Sequence, residues 1–235
     1  MARLRIVIQH HPDRKRHLSY LLHGLQVTHR DNYVVSENDG GTWNACQQAL
    51  GMFGEGDTHI LVLQDDALPC RDLIKGAQAI AEVAGDQPIT LFTNNPRATG
   101  AIATGYTFLQ MNVWFMAQAY ILSRQFVEDF LAWDQIHAIG GRMADDEHLA
   151  LYCYCNKIPV LATIPSLVEH LGWRTTTIDE RRPNKRYLDV SRRVASTFHG
   201  FENSATEIDW AVGIRKPMVD KTLGNWDIFS KWYKD

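Results

Sequence analysis

The chain of 235 residues has no long apolar run, no internal repeat and no low-complexity segment. A membrane-spanning helix needs about 20 consecutive, mostly apolar residues, and the sequence therefore predicts none. The amino end becomes polar after only a few residues, which is not the pattern of a secretory signal peptide. We expect a cytoplasmic protein that folds around its own core.

Cysteine is scarce, and its spacing matches no zinc site. The four cysteines are Cys46, Cys70, Cys153 and Cys155, and the intervals between them are not those of a zinc ligand set. On a helix, the last two would point to opposite sides. We expect reduced thiols with structural roles.

Neither sign of charge dominates, because 24 Lys and Arg face 27 Asp and Glu, for a formal net charge of −3. This balance argues against a protein that binds polyanions through its whole surface. Residues 174–193 depart from it, with seven basic and three acidic side chains. Later aromatic residues, such as Trp210 and Trp226, are more typical of a tail packed on the core than of a base-stacking surface.

Strand-like and helix-like segments alternate along the first 170 residues, which is typical of α/β proteins. Predicted strands cover residues 4–9, 33–36, 60–64, 88–92, 114–122 and 158–165. The prolines of the last one, Pro159 and Pro165, suggest an edge strand. Residues 94–107 have no apolar period, and we expect them to form a loop.

The segment His59–Pro69 is the most informative in the chain. Its apolar run has no polar alternation and predicts a strand covered on both faces, which ends in Gln64, Asp65 and Asp66. Open α/β sheets bind ligands at the carboxyl ends of their strands. Adjacent carboxylates there suit a divalent cation with a phosphorylated substrate, although acids are also common in a solvated turn.

Two later motifs carry further candidate residues. Asp145 and Asp146 open a helix, where acids also have a purely structural role because they complement the helix dipole. His170 follows the last predicted strand; a lone histidine of this kind is often a hydrogen-bonded core residue, and it is equally a possible metal ligand.

Taken in order, Gln64–Pro69, Asp145–Asp146 and Pro165–Gly172 resemble motifs of GT-A fold glycosyltransferases. The resemblance is to the lipooligosaccharide and procollagen galactosyltransferase type, or to a bacteriophage glycosyltransferase, and covers about residues 3–173. It implies an α/β, GT-A-like (Rossmann-like) mixed sheet flanked by helices. Residues 174–235 would form a basic and aromatic carboxyl-terminal extension packed on this domain, residues 1–173.

The resemblance also implies roles for individual residues. Asp66 and His170 would bind Mn²⁺ or Mg²⁺ on the donor diphosphate, and Asp146 or its neighbour Asp145 would be the general base. Gln64 stands where those enzymes have Glu, which leaves one anionic ligand fewer. The residues implied to contact the nucleotide-sugar are Gln9, His10, Asp39, Trp43, Asn44 and Asp65.

The predicted function is transfer of a sugar from a nucleotide-diphosphate sugar, most simply a UDP-sugar, to an acceptor hydroxyl. The basic segment 174–193 suggests hydroxymethylated bases of phage DNA as the acceptor, in which case the compartment is the host cytoplasm. Gln64 favours one alternative, a non-catalytic nucleotide or nucleic-acid binding module. A metal-dependent hydrolase that uses the paired acids and His170 is a third hypothesis.

Overall fold

An eight-stranded mixed β-sheet runs through the protein, with a separate two-stranded sheet beside it. The structure, a computed structural model, describes residues 2–26, 33–37, 41–112, 116–137, 143–171 and 194–220. Its strands are β1 Leu4–His10, β2 Val34–Glu37, β3 His59–Gln64, β4 Ala67–Pro69, β5 Ile89–Thr90, β6 Phe108–Met111, β7 Ala119–Ser123, β8 Val160–Thr163, β9 Val168–His170 and β10 Met218–Val219. Its α-helices are α1 Lys15–Gly24, α2 Thr42–Leu50, α3 Leu73–Ala84, α4 Arg97–Ala103, α5 Arg124–His137, α6 Asp145–Cys155 and α7 Trp210–Gly213.

The large sheet has the strand order β10-β6-β8-β5-β7-β3-β1-β2. Strands β2, β1 and β3 are parallel, whereas β7 runs antiparallel to both of its neighbours, β3 and β5. Strand β5 is parallel to β8, which in turn is antiparallel to β6. The predicted fold class, a mixed α/β sheet flanked by helices, is confirmed.

Both faces of the large sheet are covered, as the apolar run of β3 predicts. Ile60 and Val62 of β3 pack in a core cluster that includes residues of α2, α5 and α6, while Leu61 and Leu63 pack in a second cluster with residues of α1 and α3. All four are fully buried. A strand buried in this way holds the residues that follow it in a fixed position.

The two-stranded sheet consists of β4, which follows β3 directly, and β9. It fixes the position of His170, the last residue of β9. Strands β4 and β9 pair antiparallel with Ala67 opposite His170. The backbone N–H of Leu171 donates to the carbonyl of Asp66 at 2.9 Å. His170, distant in sequence, is therefore held beside the acidic turn that ends β3.

Residues 194–220 pack against the same core. Strand β10 pairs with β6 at one edge of the large sheet, and the buried Trp210 ring contacts Phe108 with ring centroids 5.4 Å apart. The division of the chain at residue 173 stays a prediction, because residues 172–193 lie outside the described ranges.

Two local expectations were wrong. Strand β8 is an interior strand between β6 and β5, not an edge strand. Pro159 and Pro165 flank it, so neither removes a ladder hydrogen bond from the four residues of the strand. Residues 94–107 contain helix α4, which buries only Ala98 and Ala101; two small side chains are too weak an apolar pattern to predict a helix.

None of the helices in the described ranges combines the length and the apolar character needed to cross a membrane.

Candidate functional site

Two buried carboxylates lie side by side at the carboxyl end of β3. Asp65 and Asp66 are 2% and 3% exposed. The N–H of Asp65 donates to the carbonyl of Gln9 in β1 at 3.0 Å, and the carbonyl of Asp66 accepts from Leu171. The backbone that carries the acids is thus tied to β1 on one side and to the small sheet on the other.

Both carboxylate oxygens of Asp65 have partners from the turn that follows β1. Oδ2 accepts from the His10 ring at 2.9 Å and from the His11 backbone N–H at 3.0 Å, and Oδ1 accepts from Arg14 Nη1 at 2.9 Å. A carboxylate with several donors is held in one orientation. Asp65 therefore anchors the β1–α1 turn at this end of the sheet.

Asp66 shares the same guanidinium and adds a histidine. Its Oδ2 accepts from Arg14 Nη1 at 2.9 Å and from His170 Nε2 at 3.3 Å. Burial raises the pKa of Asp66, but the hydrogen bond and charge of His170 and the charge of Arg14 lower it, and the net pKa is below the usual value. Asp66 is consequently an ionised, buried carboxylate at neutral pH.

Several polar atoms near this turn are buried without a hydrogen-bond partner among the described residues. In native proteins most buried polar atoms have such a partner. Gln118, one of these residues, adjoins the acidic turn, because its carbonyl accepts from the N–H of Gln64 at 2.8 Å. This concentration indicates a place for a polar ligand. The atoms are Gln9 Oε1, His17 Nδ1, Asp66 Oδ1, Gln118 Oε1 and His170 Nδ1.

The residues fit a divalent cation that a ligand completes. The described residues contain no group of three or more His, Cys, Asp or Glu side chains arranged to hold a metal. Mg²⁺, however, is commonly held by one or two carboxylates plus substrate phosphates. Two neighbouring ligands of one octahedral ion, each about 2.1 Å from it, lie about 3 Å from each other. The separation of 3.3 Å between Asp66 Oδ2 and His170 Nε2 is close to that, and a carboxylate oxygen is a ligand type that suits Mg²⁺ and Mn²⁺.

A second acidic pair opens α6. Asp145 is buried, and Gln64 Nε2 donates to its Oδ2 at 3.4 Å. Burial and repulsion from Asp146 raise the pKa of Asp145 to about 8. At neutral pH Asp145 therefore keeps its proton, and the half-buried Asp146 is its neighbour at the start of the helix. An amide at position 64 fits this arrangement, because Gln64 can donate where a glutamate would repel.

The raised pKa of Asp145 makes stability depend on pH. A carboxyl whose pKa rises from 3.8 unfolded to about 8 folded stabilises the protein fully below pH 3.8, and this contribution is lost as the pH rises towards 8. We expect Asp145→Asn to remove that loss. In urea unfolding at pH 5 and pH 8, the free energy of unfolding should fall more for wild type than for the variant; equal falls would contradict the assignment.

Three further residues are predicted to contact the nucleotide. Trp43 is buried in the core, stacked on His148 with ring centroids 3.8 Å apart, and His148 pairs with Asp134 at 2.8 Å. Asn44 is exposed on α2. Asp39 lies outside the described residues. The contacts of all three with a nucleotide stay predictions.

The structure adds residues that the sequence did not single out. Arg14 and His17 come from the region after β1, and Gln118 precedes β7. A signal for Arg14 existed, because the turn after a strand parallel to β3 must end beside the β3 acids. Nothing in the sequence pattern marks Gln118, since its position depends on the antiparallel pairing of β7 with β3.

Comparison with protein-family models gives no match, and comparison with curated proteins gives none either. Three solved structures are similar in shape. A197 from STIV is 15% identical, with 87% of this chain and 95% of that chain covered and a TM-score of 0.46. A Drosophila β-1,4-galactosyltransferase 7 mutant in complex with manganese, UDP-Gal and xylobiose is 10% identical, with coverage of 88% and 84% and a TM-score of 0.46.

The third structure is the apo form of the glycosyltransferase GlyE from Streptococcus pneumoniae TIGR4. It is 9% identical, covers 92% of this chain and 63% of its own, and has a TM-score of 0.45. With TM-scores below 0.5, these likenesses assign no function to the chain by themselves.

Proposed function

We propose that this chain is a glycosyltransferase that moves a sugar from a nucleotide-diphosphate sugar to an acceptor hydroxyl. The observation that carries the proposal is the buried pair Asp65–Asp66 at the carboxyl end of β3, with Arg14 and His170 on its oxygens. This is the edge of an α/β sheet where ligands bind. Buried polar atoms near the pair that lack a partner within the described part of the chain support the same location.

The charges around the pair suit a diphosphate leaving group. Cleavage of the bond between the anomeric carbon and the diphosphate leaves negative charge on the phosphate oxygens, and positive groups positioned in advance lower that barrier. Arg14 is one such group. Mn²⁺ or Mg²⁺ held by Asp66 and His170, when bound, would supply further positive charge to the diphosphate. Gln9 Oε1, which is buried and has no partner among the described residues, is available to accept from the nucleoside.

The acidic pair of α6 suits the acceptor side of the reaction. An acceptor hydroxyl must lose its proton as it attacks the anomeric carbon. We assign Asp146 as the base, because the buried Asp145 has its pKa raised to about 8 and keeps its proton at neutral pH. Asp145, hydrogen-bonded by Gln64, would then position its neighbour.

Release of UDP from UDP-glucose and UDP-galactose, measured with Mn²⁺ and with EDTA, tests the proposal. We expect saturable cleavage of at least one donor, with the free sugar as product when no acceptor is present. Donor binding without cleavage would instead support a non-catalytic nucleotide-binding module. Cleavage within the diphosphate, with no sugar released, would support the hydrolase.

We further propose a polyanionic acceptor, most specifically DNA with hydroxymethylated bases. The support is the basic segment 174–193, whose seven basic side chains contrast with the acidic net charge of the chain. A protein that neutralises phosphates releases their counterions, so its affinity for DNA falls with salt by a slope of about −0.9 for each phosphate contacted.

The double variant Arg181→Ala with Arg182→Ala is expected to lose transfer to hydroxymethylated duplex DNA and to show a salt slope shallower by about 2. Its donor hydrolysis should stay intact. The matched control is Arg215→Ala with Lys216→Ala, two exposed residues outside the segment, and it should behave as wild type. Efficient transfer to a small sugar acceptor that is insensitive to salt and to these changes would contradict a DNA acceptor.

A further inference from the structure

Arg14 lies where a cation would bind the acidic turn. Its Nη1 is 2.9 Å from Asp65 Oδ1 and 2.9 Å from Asp66 Oδ2, and its side chain is only 13% exposed. It is the residue immediately before α1, on the turn that Asp65 anchors through His10 and His11. One guanidinium nitrogen thus bridges the two carboxylates.

A divalent cation on Asp66 Oδ2 would compete with Arg14 for the negative charge of that carboxylate. Asp66 Oδ2 is the atom that lies 3.3 Å from His170 Nε2, at the separation of neighbouring ligands of one ion. It is also the atom on which Arg14 donates. Two positive charges on one oxygen repel in a buried site, so a cation that binds there favours release of the guanidinium from Asp66.

The displaced guanidinium has a phosphate within its reach under the proposed function. A cation on Asp66 would hold the donor diphosphate against the same turn, and a guanidinium binds phosphate oxygens through paired N–H groups better than an ammonium does. His10 and His11 hold the turn through Asp65 Oδ2, and these two hydrogen bonds do not involve Asp66. The turn that carries Arg14 can therefore stay in place while the side chain changes partner.

We infer that Arg14 is a donor-phosphate ligand that occupies the cation position on Asp66 while the donor is absent. The inference rests on the proposed function for the identity of the phosphate ligand. Its consequence is that the protein without nucleotide binds a divalent cation weakly, and that cation and nucleotide-sugar bind together. A purely structural Arg14 would only neutralise two buried carboxylates, and it would have no part in nucleotide affinity.

Arg14→Gln and Arg14→Ala test this inference through two affinities that should change in opposite directions. Electron paramagnetic resonance of Mn²⁺ alone should show about tenfold tighter binding to the variants, because a competing positive charge is gone. Calorimetry with UDP at saturating Mn²⁺ should show about tenfold weaker binding, because a charged phosphate contact is lost. Arg16→Ala, which removes an exposed arginine of α1, is the control and should change neither affinity.

Gln at position 14 keeps N–H donors for the two carboxylates, so the test does not depend on the alanine variant remaining folded. Unchanged or weaker Mn²⁺ binding in the Gln variant would overturn the competition, and unchanged UDP affinity would overturn the role as a phosphate ligand. If wild type binds no UDP at all, the proposed function fails. The Mn²⁺ titration still decides whether Arg14 occupies the cation position.

Discussion

Replacement of Asp66 by Asn is expected to lower donor cleavage and sugar transfer by roughly 10³-fold. The amide keeps the shape of the carboxylate and removes the charge. Asp66 Oδ2 is the oxygen shared by Arg14 and His170, and a divalent cation on the diphosphate would need the same atom. The loss should appear as slower UDP release at saturating donor and Mn²⁺, because the charge that develops on the leaving group is no longer offset.

The matched control is Asp86→Asn, which removes an exposed carboxylate at the opposite end of β3. Asp86 follows Gly85, whose carbonyl is hydrogen-bonded to the His59 ring at the start of that strand. This variant should have wild-type turnover. An Asp66→Asn protein that is folded by circular dichroism and still turns over at the wild-type rate would show that the reaction takes place elsewhere.

Replacement of Asp146 by Asn is expected to lower the turnover number by roughly 10²-fold, the usual effect of losing a general base. Donor affinity should change little, because the group acts on the acceptor hydroxyl. The comparison needs turnover and the donor dissociation constant measured separately, with acceptor at saturation. An equal loss in donor affinity would make Asp146 a binding residue.

Asp145 is the natural comparison for this variant. Repulsion from Asp146 contributes to its raised pKa of about 8, so Asp146→Asn should lower the pKa of Asp145 and allow it to ionise nearer neutral pH. Residual activity in Asp146→Asn should therefore fall further when Asp145→Asn is added. If Asp145→Asn alone has the larger effect on turnover, the base is Asp145 and the assignment of the two roles is reversed.

Much of the fold follows from local patterns in the sequence. The apolar run of β3 predicts a strand buried on both faces, and the structure places it between β1 and β7 in the large sheet. The sequence also predicts a helix over Thr42–Leu50 that a Thr cap opens; α2 has these bounds, but its N-cap is Gly41 and no side chain caps it. These elements are predictable because strong apolar patterns and helix-start signals act over a few residues.

The two elements that the sequence did not predict correctly, α4 and the interior strand β8, depend on contacts between residues distant in sequence. Helix α4 buries two alanines, and its stability comes from what covers them, which a sequence window does not contain. The interior position of β8 is decided by pairing with β6 and β5, both distant in sequence. Prolines beside a strand look the same in sequence whether the strand is interior or at an edge.

The candidate site was predictable only in part, for the same reason. His10 and Asp65, both predicted to contact the nucleotide-sugar, end adjacent parallel strands and lie 2.9 Å apart. The contact of Asp66 with His170 follows from the β4–β9 pairing. For Arg14, the parallel pairing of β1 with β3 indicates only that its turn lies near the acids; no feature of the sequence distinguishes a bridging guanidinium from a solvated one.

A crystal structure of the protein with UDP and Mn²⁺ tests the proposed donor site most directly. We expect the diphosphate at the carboxyl end of β3, with Mn²⁺ bound to Asp66 and His170 and the Arg14 guanidinium on a phosphate oxygen. A nucleotide bound elsewhere on the protein, with Arg14 still bridging Asp65 and Asp66, would contradict it.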